Sequence, residues 1–549
     1  MSSSPHPIES VAPAVLRVAV LLDLHRISAG DIQLLDGLKD ARNIRLTAVL
    51  LPRAPAGWSG ISRLANMLLR IHSFLDRRLS GEHSSARQLE LLLAGLPPEV
   101  LLLTRPSQAT DDLLNLNLDV IAALHPLADM LSYAHFARYG VWWLGATPVT
   151  AAAANYLSEL RAAIDDSGPI TEGLWMATAA APEPRAVAFG SARLISNVSV
   201  VRNRRIMEPV RRALMLSWLQ RLQQCGSKSV HPQNASDLAD LRSSSCVSAA
   251  SAAFPALAAG ITRAGVRKLR NRLQPRRWEE RYTVGLRARG PNPDSFSDLT
   301  GYQWLPMRTG HWVADPFLVT AHARDFLFME EMDEAKGRAR IVCGEVDSRG
   351  AVDALQPVLE RPHHLSYPHV FTHGDEIFMI PESGSVGRVE LYRATSFPSA
   401  WELVRVLFEG RAFDTSMHYD GDNFWFFTSL IEDDSAQASE LRLYRSDRLD
   451  GDWIEHPCNP ICCDVRYSRM AGRIIRFGSQ LLRPAQDCGV SYGGSMSFRK
   501  IDVLTESHYQ ESNFVVLSLR QPFNMVGPHT YDQTACTEVI DGRRFVARE

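Results

Sequence analysis

The C-terminal half of the chain repeats one short unit five times. Each unit consists of an apolar strand, a glycine or acidic turn, and a second strand that is mostly rich in aromatic residues. The copies are Phe317–Phe328, Val370–Ile380, Met417–Phe427, Ile474–Leu482 and Val539–Val546, and their first residues lie 53, 47, 57 and 65 positions apart. A period of this length built from strands is typical of a β-propeller, whose blades surround one central pocket. The repeat therefore predicts a five-bladed propeller with a site near its axis.

A second pattern in the same region has nearly the same period. Leu391–Thr395, which precedes Trp401, recurs as Leu443–Asp447 before Trp453, with a constant shift of 52 residues. Two independent features with a shared period indicate duplicated blades. We therefore assign residues 301–549 to the propeller.

The N-terminal region predicts an α/β layer instead. Apolar runs without alternation are typical of parallel strands that are buried on both faces. Such runs occur at Val18–Leu22, Ile44–Leu51, Val100–Leu103, Val120–Leu124 and Val141–Leu144. A segment with helical periodicity separates the first two runs, so we predict a doubly wound, Rossmann-like domain over residues 15–224, after a disordered tail at 1–14. The fold class is therefore α/β plus all-β.

Composition and short motifs limit the partners and cofactors that we expect for this chain. The net charge of −2 gives no basic excess, so nucleic acid is not an expected partner. The first predicted strand is followed by Asp23–Arg26 rather than a Gly-x-Gly-x-x-Gly turn, so no dinucleotide and no other cofactor is predicted. The eight cysteines lack metal-binding spacing, which predicts reduced thiols, no metal site and a cytoplasmic location. Neither a signal peptide nor a run of 18 apolar residues is found, so no membrane span is expected.

Residues 225–300 are predicted to form a linker that contains a basic helix. The segment Thr262–Tyr282 carries eight lysine and arginine residues, with Val266, Leu269 and Leu273 on one face. Two interpretations remain open: a peripheral contact with an anionic membrane or polyanionic glycan precursor, and a solvated helix between domains. Because Pro275 limits the helix, we favour the second interpretation.

Polar residues recur close to the innermost strands of the predicted blades. Because these strands converge on the axis, residues far apart in sequence can share one pocket. The candidates are Trp312, Asp315, Tyr367, Glu382, Asp414, His418, Arg469, Arg483, Gln486, Asp487 and His529. Several carboxyl groups at one concave site are typical of glycoside chemistry, which needs two of them about 5–10 Å apart. Cationic Arg469, Arg483 and His529 would neutralise a phosphate or a uronate, or lower the pKa of neighbouring carboxyl groups.

Structural interpretations of the same residues also remain open. Asp315, which precedes a proline, is suited to capping a turn. Glu382, which follows Pro381, could pair with Arg388 or Arg393. Asp487 and Arg483 could form a buried ion pair between blades.

Residues 15–222 resemble the formyltransferase domain family. The resemblance lies in the order of Gly140–Leu144, Gly168–Gly173 and Val201–Arg205, followed by a helix rich in leucine and arginine. Active members of that family need an Asn–His–Asp constellation, but this chain has Gly145-Ala146 where the histidine should follow the strand, and His125 is the only nearby imidazole. The resemblance therefore implies a degenerate scaffold without formyl transfer.

Residues 305–547 resemble the N-terminal propeller of the glucosamine inositolphosphorylceramide transferase family. The resemblance is carried by six ordered motifs: WVADPF, SYPHVF with IPES, ELYRATSFPSAWELV, FDTSMHYDG, RPAQDCGVSYGG and HTYD with VIDG. That domain is in turn similar to the arabinanase, xylosidase and fructosidase propellers. The resemblance implies that Asp315 is a general base or nucleophile, with Glu382 and Asp414 as candidates for the proton donor and the group that tunes its pKa. The remaining candidates, Trp312, Tyr367, His418, Arg469, Arg483, Gln486, Asp487 and His529, would bind the substrate.

Three functions follow as hypotheses. The leading one is a carbohydrate-active protein of cell-surface polysaccharide or glycolipid biosynthesis, which binds, and hydrolyses or transfers, a glycosyl unit in the propeller pocket. The second is a non-catalytic glycan-binding protein that works with a separate glycosyltransferase. The third is formyl or acyl transfer to a nucleotide amino-sugar, against which the missing histidine counts. The expected partner is a glycan, a sugar nucleotide or a sugar lipid, and whether the chain is an enzyme stays open.

Overall fold

The computed structural model divides the chain into two compact units, Met1–Leu273 and Gln274–Glu549. It describes residues 14–51, 94–145, 168–226 and 278–547, apart from gaps at 23–26, 104–109, 128, 197–198, 290–298, 348–349, 432–439 and 520–524, together with residues 76, 78, 90, 262 and 266. The predicted tail at 1–14 lies almost wholly outside these residues. Each unit has its own sheets and is described separately.

The N-terminal unit contains a seven-stranded sheet of order β3-β2-β1-β4-β5-β6-β7. Its strands are β1 (Leu16–Leu21), β2 (Ile44–Leu50), β3 (Leu101–Leu103), β4 (Val120–Ala123), β5 (Val141–Gly145), β6 (Ile170–Ala177) and β7 (Arg185–Ala192). The first five strands pair in parallel, whereas β6 and β7 are antiparallel additions. All five strands predicted from apolar runs are therefore present.

Three α-helices are described in this unit: α1 (Ala29–Asp40), α2 (Thr110–Asn115) and α3 (Val200–Cys225), with a 3₁₀ helix over Met130–Phe136. Helix α1 contains the predicted helical segment Ile32–Asp40 but begins earlier, at Ala29, because Ser28 and Asp31 form a reciprocal capping box at its N-terminus. Strand β5 (VWWLG) is buried throughout, as expected for a strand covered on both faces. The sheet order alone does not decide whether this unit resembles a formyltransferase.

The C-terminal unit is a five-bladed β-propeller. Its blades are the sheets β10-β11-β12-β13, β14-β15-β16-β17, β18-β19-β20-β21, β22-β24-β25-β26 with β23 beside β24, and β27-β28-β8-β9, which we number I to V. The strands of the first two blades are β10 (His311–Ala321), β11 (Arg324–Asp333), β12 (Arg338–Val346), β13 (Gln356–Leu359), β14 (Ser366–His373), β15 (Glu376–Ser383), β16 (Arg388–Ser396) and β17 (Ala400–Glu409). Blade III comprises β18 (Ala412–Tyr419), β19 (Phe424–Leu430), β20 (Glu440–Ser446) and β21 (Ile454–Glu455).

Blade IV contains β22 (Arg469–Met470), β23 (Ile475–Phe477), β24 (Gln480–Asp487), β25 (Ser495–Leu504) and β26 (Tyr509–Leu517). Blade V contains β27 (Tyr531–Gln533), β28 (Thr537–Ala547), β8 (Trp278–Ala288) and β9 (Gln303–Trp304). Blade V thus joins strands from both ends of the unit, and β8 pairs with β28 along its whole length, from Trp278 to Ala288. This pairing closes the ring and leaves no open edge between the first and last blades.

Two sequence predictions about blade V are corrected by this closure. The fifth repeat, Val539–Val546, is not a strand–turn–strand unit, because all of it lies inside the single strand β28. The propeller also starts before residue 301, since β8 begins at Trp278 within the predicted linker. Both errors arose because the partner of β28 lies more than 200 residues away in sequence, beyond the reach of any local repeat.

The predicted basic helix lies mostly outside the described residues. Within the segment Thr262–Tyr282, Thr262 and Val266 are described and are helical, whereas Trp278–Tyr282 belongs to strand β8. Among the described helices, none combines the length and the apolar character that a membrane crossing requires.

Candidate functional site

The innermost strands of blades I, II and III share a β-bulge that turns one polar side chain out of the regular pleat. The register shifts lie at Ala314/Phe317, Ser366/His369 and Phe413/Ser416. Asp315, Tyr367 and Asp414 occupy these bulges with φ values of +51°, +43° and +50°. A non-glycine residue in this region costs about 1–3 kcal/mol, and such strain is concentrated at functional sites. Gly472 and Gly527 hold positive φ at the corresponding places of blades IV and V.

Carboxylates of one blade hold the bulges of the next blade in the ring. The backbone N–H of Asp315 donates to Asp541 Oδ2 at 3.1 Å. The N–H of Tyr367 donates to Asp315 Oδ2 at 3.2 Å, and that of Asp414 donates to Glu382 Oε2 at 3.0 Å. Acidic side chains from three different strands, β28, β10 and β15, therefore fix the bulges of the inner strands.

Asp315 lies in a buried pocket of opposing charges. Its Oδ1 accepts from Thr530 Oγ1 at 2.8 Å and lies 3.8 Å from His529 Nδ1. Burial, and then Glu330, Asp541 and Asp414, raise the pKa of Asp315 to about 8, although His529 opposes them. Burial would lower the pKa of His529, but the carboxylate of Asp541, 2.5 Å from its Nδ1, raises it to about 9.

Asp414 is bound by groups of blade IV. Its Oδ2 accepts from Arg469 Nε at 2.6 Å and from Gln486 Nε2 at 3.3 Å. Arg469 is itself buried and lies over the rings of Phe413 and Tyr492, 5.7 and 5.0 Å from their centroids. Burial and the neighbouring Asp414 carboxylate hold the pKa of Glu382 well above its usual value. Glu382 is only half-buried, which makes it the most accessible carboxyl of this group.

We call these groups the acid–base cluster. Its members are Asp315, Glu330, Glu382, Asp414, Asp541, Arg469, His529 and His364, the last of which pairs with Glu330 at 3.3 Å. Three half-buried aromatic residues, Tyr282, Trp312 and Tyr492, form an aromatic rim beside it. Tyr282 stacks on His529 with centroids 4.7 Å apart and lies 5.3 Å from Trp312, and Tyr492 meets His529 edge-on at 5.9 Å.

The ligand atoms of Asp315, His529 and Asp541 all lie within 4.8 Å of one another, a spacing that could suit a metal ion. The hydrogen bonds favour another interpretation. Asp541 Oδ1 accepts from the N–H groups of His529 and Thr530 at 3.0 and 2.9 Å, and both oxygens of Asp315 also accept hydrogen bonds. The carboxylate oxygens already have donors, so this group is a hydrogen-bonded ion pair and not a prepared cation site.

The structure brings together six of the predicted residues: Asp315, Glu382, Asp414, Arg469, Gln486 and His529. Trp312 adjoins them through the aromatic rim. Tyr367 lies at the centre but is fully buried, and its hydroxyl contacts Ser416 Oγ at 2.9 Å and accepts from the N–H of Gly472 at 2.6 Å. It therefore connects three blades, and its burial favours a structural role over the predicted contact with substrate.

Arg483, Asp487 and His418 lie elsewhere. Arg483 is fully buried and pairs with Glu511 of β26 at 2.7 Å, because odd-numbered residues of β24 face away from the side that carries Gln486. Asp487 shares that odd-numbered face and caps a turn by accepting from the N–H of Gly489 at 2.9 Å. His418 lies opposite Trp425 at the far end of β18 from Asp414, and burial lowers its pKa. These three side chains therefore lie outside the acid–base cluster, and the ion-pair partner of Arg483 is Glu511 instead of the predicted Asp487.

The sequence prediction missed Tyr282, Glu330 and Asp541. Tyr282 fell in the predicted linker, and Asp541 was placed in a turn. Glu330 could have been found, because Phe326–Glu330 aligns with Phe378–Glu382 at the same shift of 52 residues. The register agrees, since Glu330 and Glu382 each lie opposite the residue that precedes a bulge.

In the N-terminal unit, His125 follows β4 and is held on both sides. Its Nε2 lies 3.1 Å from Asp31 Oδ2 and its Nδ1 3.4 Å from Arg211 Nη2. Burial opposes the ionisation of Asp31, yet His125 and then Arg211 lower its pKa to about 2. Because both ring nitrogens already have partners, this histidine ties β4 to α1 and α3, as a structural histidine does.

The fold and the site define a five-bladed β-propeller with a buried cluster of acidic and basic side chains near its axis. Residues 306–527 match the family described as "Glucosamine inositolphosphorylceramide transferase 1, N-terminal". The chain is 35% identical over 205 residues to glucosamine inositolphosphorylceramide transferase 1 of Oryza sativa subsp. japonica, covering 37% of this chain and 28% of the relative. It is 33% identical over 253 residues to the protein of that name from Arabidopsis thaliana, covering 43% and 33%. The chain thus spans about a third of the length of these curated relatives.

Solved structures with a similar arrangement are more distant. A family 117 glycoside hydrolase of Zobellia galactanivorans has 12% identity and a TM-score of 0.31 over 43% of this chain and 84% of its own. An α-L-arabinanase of Cellvibrio cellulosa has 11% identity and a TM-score of 0.29, covering 37% and 77%. Scores this low carry no argument about chemistry. The family match does not reach the N-terminal unit, so its resemblance to formyltransferases stays a prediction.

Proposed function

We propose that the propeller binds a glycan of glycolipid or cell-surface polysaccharide synthesis at the acid–base cluster, beside the aromatic rim. The observation that carries this proposal is the set of strained bulges, which turn Asp315 and Asp414 toward one place beside half-buried Tyr282 and Trp312. Polar groups that fix hydroxyls next to an aromatic face suit a sugar ring. The relatives are named as glycolipid transferases, which agrees with this class of ligand.

Binding is favoured over hydrolysis by the state of the carboxyl groups. Glycoside hydrolysis requires two carboxyl groups about 5–10 Å apart that both reach the substrate. Here the carboxylate of Glu382 accepts from the backbone N–H of Asp414, and both oxygens of Asp315 also accept hydrogen bonds from the protein. We therefore place the second hypothesis, a glycan-binding protein that works with a glycosyltransferase, ahead of hydrolysis.

Catalysis has one specific observation in its favour. Burial and the neighbouring Asp414 raise the pKa of Glu382, which favours the protonated form that a general acid needs. Turnover of a glycoside or sugar nucleotide that is lost in Glu382→Gln would support a catalytic role. Asp414→Asn is a poor test of catalysis, because it leaves the buried Arg469 without its carboxylate and lowers stability as well.

The binding proposal is tested at the aromatic rim. We expect Tyr282→Ala to weaken binding of a glycosyl inositolphosphorylceramide headgroup or another bound glycan by about tenfold, since a stacked aromatic contributes about 1 kcal/mol or more. Tyr419→Ala is the matched control, because Tyr419 is 45% exposed at the far end of β18. Isothermal calorimetry measures both variants. Equal losses in the two variants, or no loss in Tyr282→Ala, would contradict this placement of the site.

A further inference from the structure

The loop that joins β24 to β25 lies against the acid–base cluster. It spans residues 488–494, and we call it the Tyr492 loop. The Tyr492 ring centroid lies 5.0 Å from the guanidinium of Arg469, and the ring meets His529 edge-on at 5.9 Å. Arg469 and His529 are only 5% and 4% exposed, whereas Tyr492 is half-buried. The loop therefore stands between two basic groups of the cluster and the solvent.

Few contacts hold the Tyr492 loop to the other blades. Within the loop, the N–H of Gly493 donates to Cys488 Sγ at 3.4 Å. Between its two ends, within the part of the chain that the structure describes, one hydrogen bond arrives from another blade, and it runs from Arg543 Nη2 to the carbonyl oxygen of Tyr492. Val490 is 71% exposed. A surface loop with so few bonds to its surroundings can open locally while the blades stay folded.

Arg543 joins the Tyr492 loop to blade V. Its Nη1 donates to Glu280 Oε2 on β8, and its guanidinium lies over the ring of Tyr282, 5.5 Å from the centroid. These two contacts lie within blade V and do not depend on the loop. Opening of the loop would therefore break the bond from Arg543 to the Tyr492 carbonyl and leave the charge of Arg543 paired with Glu280.

Gly493 sets how closely the loop approaches the cluster. Its φ is +51°, and a Cβ at this position would lie 2.7 Å from the Cβ of His529 and 2.8 Å from its Cδ2. Contact with His529 at this distance requires a glycine. Gly478, in the β23–β24 turn of the same blade, has a similar φ of +58°, but an added Cβ there would meet no described atom within 4 Å. The two glycines thus differ in their contact with His529 and not in backbone conformation.

We propose that the Tyr492 loop is a lid that opens and closes over the acid–base cluster and controls the access of ligand to the Arg469–Asp414 pair. The closed lid excludes water from this pair, and the open lid exposes it. A ligand that reaches Asp414 from this side must displace the Tyr492 ring, so Tyr492 is the gating residue. The identity of the ligand rests on the proposed function, whereas the movement belongs to the loop itself.

Cys488 reports the opening of the lid. It lies at the base of the loop and is 1% exposed, so a thiol reagent reaches it only when the loop moves away. The full chain is treated with N-ethylmaleimide, and peptide mass spectrometry measures the labelling rates of Cys488 and of Cys343, a thiol in the core of blade I that is 3% exposed. We expect Cys488 to react at least about tenfold faster than Cys343, because local opening requires less free energy than exposure of a blade core.

Two variants and a ligand assign this labelling to the lid. Gly493→Ala should increase the Cys488 rate by about tenfold, because the added Cβ overpacks the contact with His529, and Tyr492→Ala should change the rate in the same direction. Gly478→Ala is the matched control and should leave the Cys488 rate unchanged. Cys343 should react at the wild-type rate in all three variants. A saturating glycosyl inositolphosphorylceramide headgroup should slow the labelling of Cys488, because bound ligand favours the closed lid.

Each outcome decides a different question. Equal labelling rates at Cys488 and Cys343, or equal increases at both in Gly493→Ala and Tyr492→Ala, overturn the lid, because exposure is then global. An unchanged Cys488 rate in both variants also overturns it. If calorimetry still detects binding of the headgroup in these cases, the glycan site stands without a lid. If Cys488 responds as expected but neither the headgroup nor any other tested glycan binds, the lid stands and the proposed function falls. Headgroup that binds without slowing Cys488 overturns the control of ligand access.

Discussion

Removing the charge of Glu511 should destabilise the propeller without changing the acid–base cluster. Glu511 accepts from Arg483 through two contacts, Nη2 to Oε1 at 2.7 Å and Nε to Oε2 at 2.8 Å. Arg499 Nε and Tyr509 Oη also donate to it, at 3.2 and 2.6 Å. Arg483 is fully buried, so the Glu511→Gln variant leaves a cation in the core with no compensating charge.

The magnitude follows from the ionisation of Glu511. Burial opposes its ionisation, but Arg483 and then Arg499 lower its pKa from 4.5 to about 2. This difference corresponds to about 3 kcal/mol at neutral pH. The usual cost of removing one member of a buried pair, about 3–5 kcal/mol, agrees with it. Because the folded-state pKa is lowered, this stabilisation is present above about pH 4.5 and is lost as the pH falls toward 2.

Urea denaturation followed by tryptophan fluorescence at pH 7 measures this loss. The control is Glu506→Gln, because Glu506 is 64% exposed and its ion pair with Arg445 should contribute less than about 1 kcal/mol. The glycan affinity of folded Glu511→Gln protein should equal that of the wild type. A destabilisation below about 1 kcal/mol would refute the burial argument. If the variant has normal stability but no longer binds the glycan, Arg483 and Glu511 belong to the binding site and not to the structural core.

Three further perturbations address the inner strands. The folded-state pKa values of His529 and Asp315 are raised to about 9 and about 8, so their contributions to stability are lost as the pH rises. The melting temperature should therefore fall between about pH 7 and 9, and the fall should be less steep in His529→Gln. Tyr367→Phe removes a hydroxyl bonded to Ser416 and Gly472, which should cost about 1–3 kcal/mol in urea denaturation and leave glycan affinity unchanged. Gly472→Ala would place a Cβ 1.9 Å from the carbonyl oxygen of Tyr531 at a φ of +131°, so little folded propeller should be recovered on expression and size-exclusion chromatography.

The sequence predicted those parts of the fold that depend on local pattern. Blades I to IV place the repeated hairpins where the period put them, because alternation and turn residues are properties of short segments. Blade V was misassigned because β8 and β28 become neighbours only when the ring closes. The same closure explains why Tyr282 was missed, since no local feature of a predicted linker places it on His529.

The site was predicted less completely than the fold. Much of the difference arises because successive side chains of a strand point to opposite faces of the sheet. Gln486 and Arg483 stand three positions apart on β24, so they face opposite sides of the blade, yet both looked equally suitable for an axial pocket. Charge alone could not separate them. Arg469 enters the site from a two-residue strand and has Asp414 as its partner, whereas Arg483 has Glu511 on the neighbouring face of its own blade.

The bulges show how far backbone strain can identify a site. Asp315 and Tyr367 both precede proline, which favours extended backbone, and both nevertheless adopt positive φ. The surrounding fold must therefore impose this conformation, and it does so through carboxylates of the preceding blade. Yet Tyr367 is fully buried and joins three blades. Asp315 and Asp414 instead contribute carboxyl groups to the acid–base cluster, and Glu382 is the most accessible carboxyl of that cluster. Strain thus marks the side chains that must point to the axis, and only burial and charge together distinguish a structural contact from a group that can receive a ligand.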